Sequence, residues 1–118
     1  MPTAEAMGER ALPLLLREWD NPGSEISRYN IVSLTGQMRS EKAAEPLRRF
    51  IYDERAHPWT RNMAANFLRR GFAEPHHKTF LLDVLRDASL PPVVRAGAAE
   101  GDGARHVLRA HHLHHHLR

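Results

Sequence analysis

Aspartate and arginine residues recur in this sequence at a spacing that could support acid–base chemistry or anion binding. Asp20, Asp53 and Asp87 are separated by 33 and then 34 residues, and an arginine follows each of them eight residues later. These arginines are Arg28, Arg61 and Arg95. A carboxylate can act as a general acid or base, and a guanidinium can hold an anionic group. The residue types alone would therefore fit catalytic carboxylates beside substrate-holding arginines.

The regular spacing favours a structural role for both series. Catalytic groups converge on one cleft, whereas residues that recur once per repeat are spread along a stack of repeats. A carboxylate between two helices can accept backbone N–H groups and complement the dipole of the second helix. We therefore predict a ladder in which each aspartate pairs with the arginine of its own or the adjacent repeat.

Six helical segments in three pairs must position these residues. The apolar residues Ala11, Leu14, Leu15 and Trp19 follow the stripe of a half-buried helix over residues 4–19. The same reading gives helix pairs at about 4–38, 40–71 and 73–103, followed by a tail at 104–118. We expect the 1–103 region to form one all-α domain of about three helix pairs.

Proline, glycine and serine mark the predicted ends of these helices. Ser24 and Ser40 are expected to be N-caps, Pro58 stands where a helix tolerates proline, and Gly71 is expected to end its helix. The third pair breaks at Gly101, where its second helix should continue. That helix would be too short to cover its neighbour, leaving part of Phe80, Leu81, Val84 and Leu85 exposed. We therefore expect self-association through this C-terminal face.

The second helix of each pair carries the family resemblance. Asp87-Ala88-Ser89-Leu90-Pro91-Pro92-Val93-Val94-Arg95-Ala96-Gly97-Ala98-Ala99-Glu100 resembles the HEAT-like repeats of the short bacterial type. Residues 53–68, with Arg61 and Ala64-Ala65, are similar, and residues 20–36 are the most divergent. The resemblance covers residues 10–100. It implies an α-solenoid, in which helix pairs stack into a superhelix, with an incomplete last pair.

Such arrays mostly act as binding scaffolds, and the resemblance implies a non-enzymatic protein-interaction function. The second helices usually line the concave face, which would present Tyr29, Asn62, Asn66, Arg69 and Arg70 to a protein or peptide. Nucleic acid is not the expected partner, because Glu25, Asp53 and Glu54 lie nearby and aromatic residues do not interleave. An alternative is a lyase-like or enzyme-associated role, since related short repeats occur in phycobilin lyases.

The tail supplies a second alternative, divalent-metal binding. His111 and His115 are four residues apart, as are His112 and His116, so either pair could chelate one ion on a helix. A further reading is that the match to the repeat ends near residue 100 because the chain is a truncated or frame-shifted fragment of a longer array. The tail is equally compatible with a short basic helix or with disorder.

Composition sets the remaining limits. The chain has 118 residues, a formal net charge of +3 and no cysteine, so disulfides and thiolate chemistry are excluded. No apolar run reaches the length of a membrane span, and the N-terminus lacks the pattern of a signal peptide. These features predict a cytoplasmic protein without a membrane partner, and no motif indicates a cofactor.

Overall fold

The computed structural model describes residues 4–38 and 40–99, and every regular element within these residues is helical. The helices are α1 (Ala4–Trp19), α2 (Arg28–Gly36), α3 (Ala44–Tyr52), α4 (Pro58–Gly71), α5 (Pro75–Arg86) and α6 (Pro92–Gly97). A 3₁₀ helix, Glu41–Ala43, leads into α3. The predicted all-α class is confirmed for the described part of the chain.

Local side-chain chemistry explains where these helices begin. Ser40 caps the 3₁₀ helix as predicted, accepting a hydrogen bond from the Lys42 N–H at 3.3 Å. The N-cap of α2 was predicted wrongly: Ser27 caps it, accepting from the Asn30 N–H at 3.1 Å. Ser24 instead accepts from the Ile26 N–H at 3.0 Å and stabilises the preceding loop. Helix α2 is therefore shorter than the sequence indicated.

The helices pack as neighbours in sequence and also across the pairs. Each of α1, α3 and α5 contacts the helix that follows it, while α4 packs between α2 and α6. The fully buried side chains at the centre of this arrangement include Ile31, Leu47, Ile51, Leu68, Val84 and Val94. The hydrophobic core is thus one continuous cluster from α1 to α6.

Two glycines allow α4 to approach its neighbours closely. A Cβ at Gly36 would lie 2.2 Å from Cγ of Phe67 on α4, and a Cβ at Gly97 would lie 2.5 Å from the Asn62 carbonyl oxygen. Neither distance is compatible with an alanine in the same geometry. The absence of a side chain at these two positions therefore sets the spacing of α2, α4 and α6.

Helix α5 is better covered than the sequence predicted. Leu81 and Val84 are buried, and Phe80 and Leu85 are half-buried. They are covered because α4, the residue Phe72 directly after it, and α6 pack against this helix. The expectation that all four side chains stay partly uncovered is wrong for Leu81 and Val84. Leu82 is the large apolar residue of α5 that remains exposed.

Candidate functional site

The three periodic arginines share one role, which differs from the predicted pairing with aspartate. The Nε–H of Arg28 donates to the Trp19 carbonyl at 3.2 Å, and that of Arg61 donates to the Ile51 carbonyl at 2.8 Å. Arg95 donates in the same way to the Leu85 carbonyl at 3.1 Å. Each arginine therefore satisfies a carbonyl in the last turn of the first helix of its own pair, where no backbone partner exists.

The periodic aspartates use other partners. Among the described residues, the ion pairs of Asp20 and Asp53 both go to Arg55, with N–O distances of 2.6 and 2.7 Å. Asp53 also accepts from the Trp19 indole N–H at 2.7 Å. Hydrogen bonds from Arg55, followed by that from Trp19, hold the pKa of Asp53 well below its usual range.

Asp87 organises a loop rather than an ion pair. It accepts hydrogen bonds from the Ser89 N–H at 3.0 Å and from the Ser89 hydroxyl at 2.5 Å. These bonds lower the pKa of Asp87 below its usual value. The predicted Asp–Arg ladder is therefore wrong in its pairing. The aspartates and the arginines both make hydrogen bonds near the connection between two helices. This structural role explains their regular spacing without catalysis.

Part of the predicted partner surface is used inside the molecule. Asn62 donates to the Val93 carbonyl at 2.6 Å, Asn66 donates to the Asn62 side-chain oxygen at 3.0 Å, and Arg69 donates to that of Asn66 at 2.8 Å. These three side chains form a hydrogen-bonded row along α4 that ends on α6. Partner binding by this row would compete with contacts that hold α4 and α6 together.

Other side chains of α2 and α4 remain free to contact a partner. Tyr29 is 56% exposed and Trp59 is 59% exposed, while Leu34 and Arg70 are also exposed. Arg70 borders a shallow depression of about 270 Å³ that is also lined by Met63, Asn66 and Phe67. The sequence identified Tyr29 and Arg70 correctly as exposed, but assigned Asn62, Asn66 and Arg69 to the same surface without their internal bonds.

A larger apolar groove lies beside α5. It has a volume of about 370 Å³ and is lined mainly by Phe72, Leu81, Leu82, Leu85, Ala98 and Ala99, with Arg69 and Lys78 at its polar edge. Lining of this kind suits apolar contacts with a few orienting charges. This groove lies on the C-terminal face for which the sequence predicted self-association, and that association remains a prediction.

A cluster that the sequence did not predict joins the second and third helix pairs. Glu41, His76 and His77 place one side-chain ligand atom each within 4.8 Å of one another. His77 is only 1% exposed and packs edge-on against Phe72, with ring centroids 5.5 Å apart. Adjacent histidines at the start of a helix were the only signal, because Glu41 is 35 residues earlier in the chain.

The tail histidines cannot be placed in this arrangement. His111, His112, His115 and His116 lie outside the described residues, as does the predicted break at Gly101. Within the described part of the chain, no helix is both long and apolar enough to cross a membrane.

Comparison with known protein families, curated proteins and solved structures gives no match for this chain. The resemblance to HEAT-like repeats therefore rests on the sequence pattern alone.

Proposed function

We propose that this chain is a HEAT-like α-solenoid that binds a protein or peptide partner without catalysing a reaction. The observation that carries the proposal is the exposure of Tyr29 and Trp59 on two helices, α2 and α4, that pack side by side. Large exposed aromatic side chains on neighbouring helices are typical of interaction sites.

Recurring contacts support the repeat arrangement. In each pair, the arginine of the second helix donates to a carbonyl at the end of the first helix, across nine or ten residues of sequence. The second helices α2, α4 and α6 are also neighbours in that order. One pair thus repeats both the sequence pattern and the backbone contact of the next, as expected for stacked units.

Packing makes the exposed surfaces of α2 and α4 continuous. The Phe67 ring of α4 lies against Gly36 of α2, so no gap separates the two helices at this point. Trp59 and Arg70 lie eleven residues apart on α4, about 16 Å along the helix axis. We define the binding surface as Tyr29, Trp59, Phe67 and Arg70. Its aromatic residues and single arginine would suit a partner with apolar anchors and an acidic group.

This surface can be tested by partner capture with matched variants. We expect Tyr29→Ala and Trp59→Ala each to weaken the affinity of the purified partner by at least about tenfold, because exposed aromatics commonly carry interface energy. Arg70→Glu should weaken the binding of an acidic partner further, and it should reduce or reverse the fall of the on-rate with salt, because an attractive charge becomes a repulsive one. Arg69→Glu is unsuitable, since Arg69 is bonded to Asn66 inside the molecule.

Leu82→Ser is the matched control, because Leu82 is also a large exposed apolar residue but lies on α5. Partners would be captured from source-cell lysate with the wild-type chain, purified and titrated against each variant. Equal affinity for all the α2 and α4 variants, with loss only in Leu82→Ser, would contradict the assignment of the surface.

A further inference from the structure

The cluster of Glu41, His76 and His77 is placed by two separate elements. Glu41 begins the 3₁₀ helix before α3, while His76 and His77 lie in the first turn of α5. The Nε2 atom of His76 is 3.5 Å from Glu41 Oε1, and His77 Nε2 makes a short hydrogen bond to the same oxygen. One carboxylate oxygen therefore faces two imidazole nitrogens.

Burial differs within the cluster in a way that suits ion capture from solvent. His77 is fully buried, whereas the side chains of Glu41 and His76 are each more than half exposed. The two imidazole rings lie 4.0 Å apart between centroids. A fixed inner ligand thus stands beside two outer ligands that an arriving ion can reach without opening the core.

We propose that Glu41, His76 and His77 bind one divalent transition-metal ion of the Zn²⁺ type. Neutral imidazole and carboxylate are common ligands of this ion, at about 2.0–2.2 Å. Tetrahedral ligands at such distances are separated by about 3.3 Å, close to the 3.5 Å between His76 and Glu41. The shorter contact between His77 and Glu41 must open, and the ion takes the place of the proton they share. A fourth position stays available to water.

Arg48 sets the energetic cost of this exchange. Its Nη2 lies 2.7 Å from His77 Nδ1, so the guanidinium donates to that nitrogen and the imidazole proton resides on Nε2, facing Glu41. Metal binding at Nε2 moves the proton to Nδ1, which leaves the imidazole neutral. Two donors then face each other, and Arg48 must turn away. Arg48 therefore opposes the ion, and its position determines the affinity.

Metal binding would join two helix pairs. Glu41 precedes α3, whereas both histidines belong to α5, so the ion would bridge the second and third pairs in addition to the Asn62–Val93 bond between α4 and α6. A ligand that binds only the folded chain raises its stability by mass action. We therefore expect Zn²⁺ to raise the melting temperature as well as to bind.

The test uses the full-length chain in which His106, His111, His112, His114, His115 and His116 are all replaced by alanine. This background removes the tail as a second binding site. Zn²⁺ titration should give one ion per chain, and Co²⁺ should give the visible spectrum of a low-coordinate site with nitrogen and oxygen ligands. His76→Ala and Glu41→Gln should each weaken binding at least about tenfold, while His57→Ala, at an exposed histidine outside the cluster, should not.

Arg48→Gln provides the decisive variant. Its amide oxygen can accept the proton on Nδ1, which is the outer contact that metal-bound histidines usually make, so Zn²⁺ should bind more tightly than in the background chain. Both exposed-ligand variants should remain folded, because neither side chain is buried. No one-to-one binding in the background chain, or binding that His76→Ala and Glu41→Gln leave unchanged, would overturn the proposal. Weaker binding in Arg48→Gln would overturn the role of Arg48.

Discussion

The junction between the first and second helix pairs differs from the junction between the second and third, although equivalent positions form both. In the first junction, Trp19 stacks on Phe50 with ring centroids 3.8 Å apart and donates to Asp53. At a spacing of 33 or 34 residues along the chain, Tyr52 corresponds to Trp19, Val84 to Phe50 and Asp87 to Asp53. Trp19 is 4% exposed, whereas Tyr52 is 41% exposed.

This difference separates the features that the two junctions share from those that each junction adds. Both junctions keep an aspartate in the loop, and each of the two pairs that supply it also holds an arginine-to-carbonyl bond between its own two helices. The first junction adds a buried aromatic stack and an arginine, Arg55, that joins two aspartates. In the second, Tyr52 lies edge-on to Phe80 and Ser89 occupies the position of Arg55. The arginine-to-carbonyl bonds thus hold the two helices of each pair together, while other side chains decide how strongly each junction is held.

Replacing Trp19 should have the largest effect on stability. Trp19→Ala removes a buried ring, leaves a cavity against Phe50 and deprives Asp53 of a donor, so we expect a loss of about 3–5 kcal/mol in the free energy of unfolding. Tyr52→Ala should cost about 1 kcal/mol, since much of that ring is already in water. Urea unfolding monitored by far-UV circular dichroism would measure both.

A second Trp19 variant keeps this test informative if the alanine variant does not fold. Trp19→Phe retains an aromatic ring over Phe50 but loses the indole N–H, so its cost should fall to about 1–2 kcal/mol. Equal losses for Trp19→Ala and Tyr52→Ala would show that the two junctions are held equally, contrary to the comparison.

Removal of the arginine-to-carbonyl bonds should cause the next largest loss in the free energy of unfolding. Arg61 is buried and its Nε lies 2.8 Å from the Ile51 carbonyl, whereas Arg95 is half-buried with a 3.1 Å bond. Arg61→Met leaves a buried carbonyl without its charged donor, and we expect a loss of about 2–3 kcal/mol. Arg95→Met should lose about 1 kcal/mol, because water can replace part of its bond. A reversed order in urea unfolding would contradict this ranking.

The glycines test close packing at the same two junctions. Gly97→Ala would press a methyl group against the Asn62 backbone, which cannot move without shifting α4, so we expect a loss of about 1–3 kcal/mol. Gly36→Ala meets the half-buried Phe67 ring, which can turn towards solvent, and should cost less. Gly71→Ala has open space around it and should be neutral or stabilising, as alanine favours helix. Thermal unfolding of the three variants would rank them.

The sequence predicts those features of the structure that depend on interactions between residues close together in the chain. The bounds of α1, the proline that begins α4 and the glycine that ends it follow from local chemistry, and the structure confirms them. The partners of Arg28, Arg61 and Arg95 could not be predicted, because a backbone carbonyl has no residue-specific signal. The sequence therefore marked the right positions and assigned them the wrong acceptor.

The candidate sites were harder to predict, because they depend on contacts between distant segments. Asn62 and Asn66 look like an exposed polar stripe until Val93 is placed beside them by the packing of α4 on α6. His77 looks like a surface residue until Glu41 and Arg48 are brought to it across about thirty residues. Helical periodicity assigns a face to each residue, but it does not reveal which neighbour covers that face.

The smallest expected effect is the loss of stability in acid, which should differ between the two junction carboxylates, Asp53 and Asp87. The pKa of Asp53 is depressed in the folded chain, chiefly by Arg55, so its stabilising contribution is complete above its usual pKa near 4 and is lost as pH falls through the lower, folded value. Because this carboxylate lies near solvent, Asp53→Asn should cost only about 1 kcal/mol at pH 6. The difference from wild type should shrink steadily below pH 4. Asp87→Asn should show the same sign with a weaker pH dependence, since hydroxyl and backbone donors rather than a guanidinium hold Asp87. Urea unfolding at pH 6, 4 and 3 would measure both variants, and a gap between wild type and Asp53→Asn that widens in acid would contradict the role of the Arg55 pair.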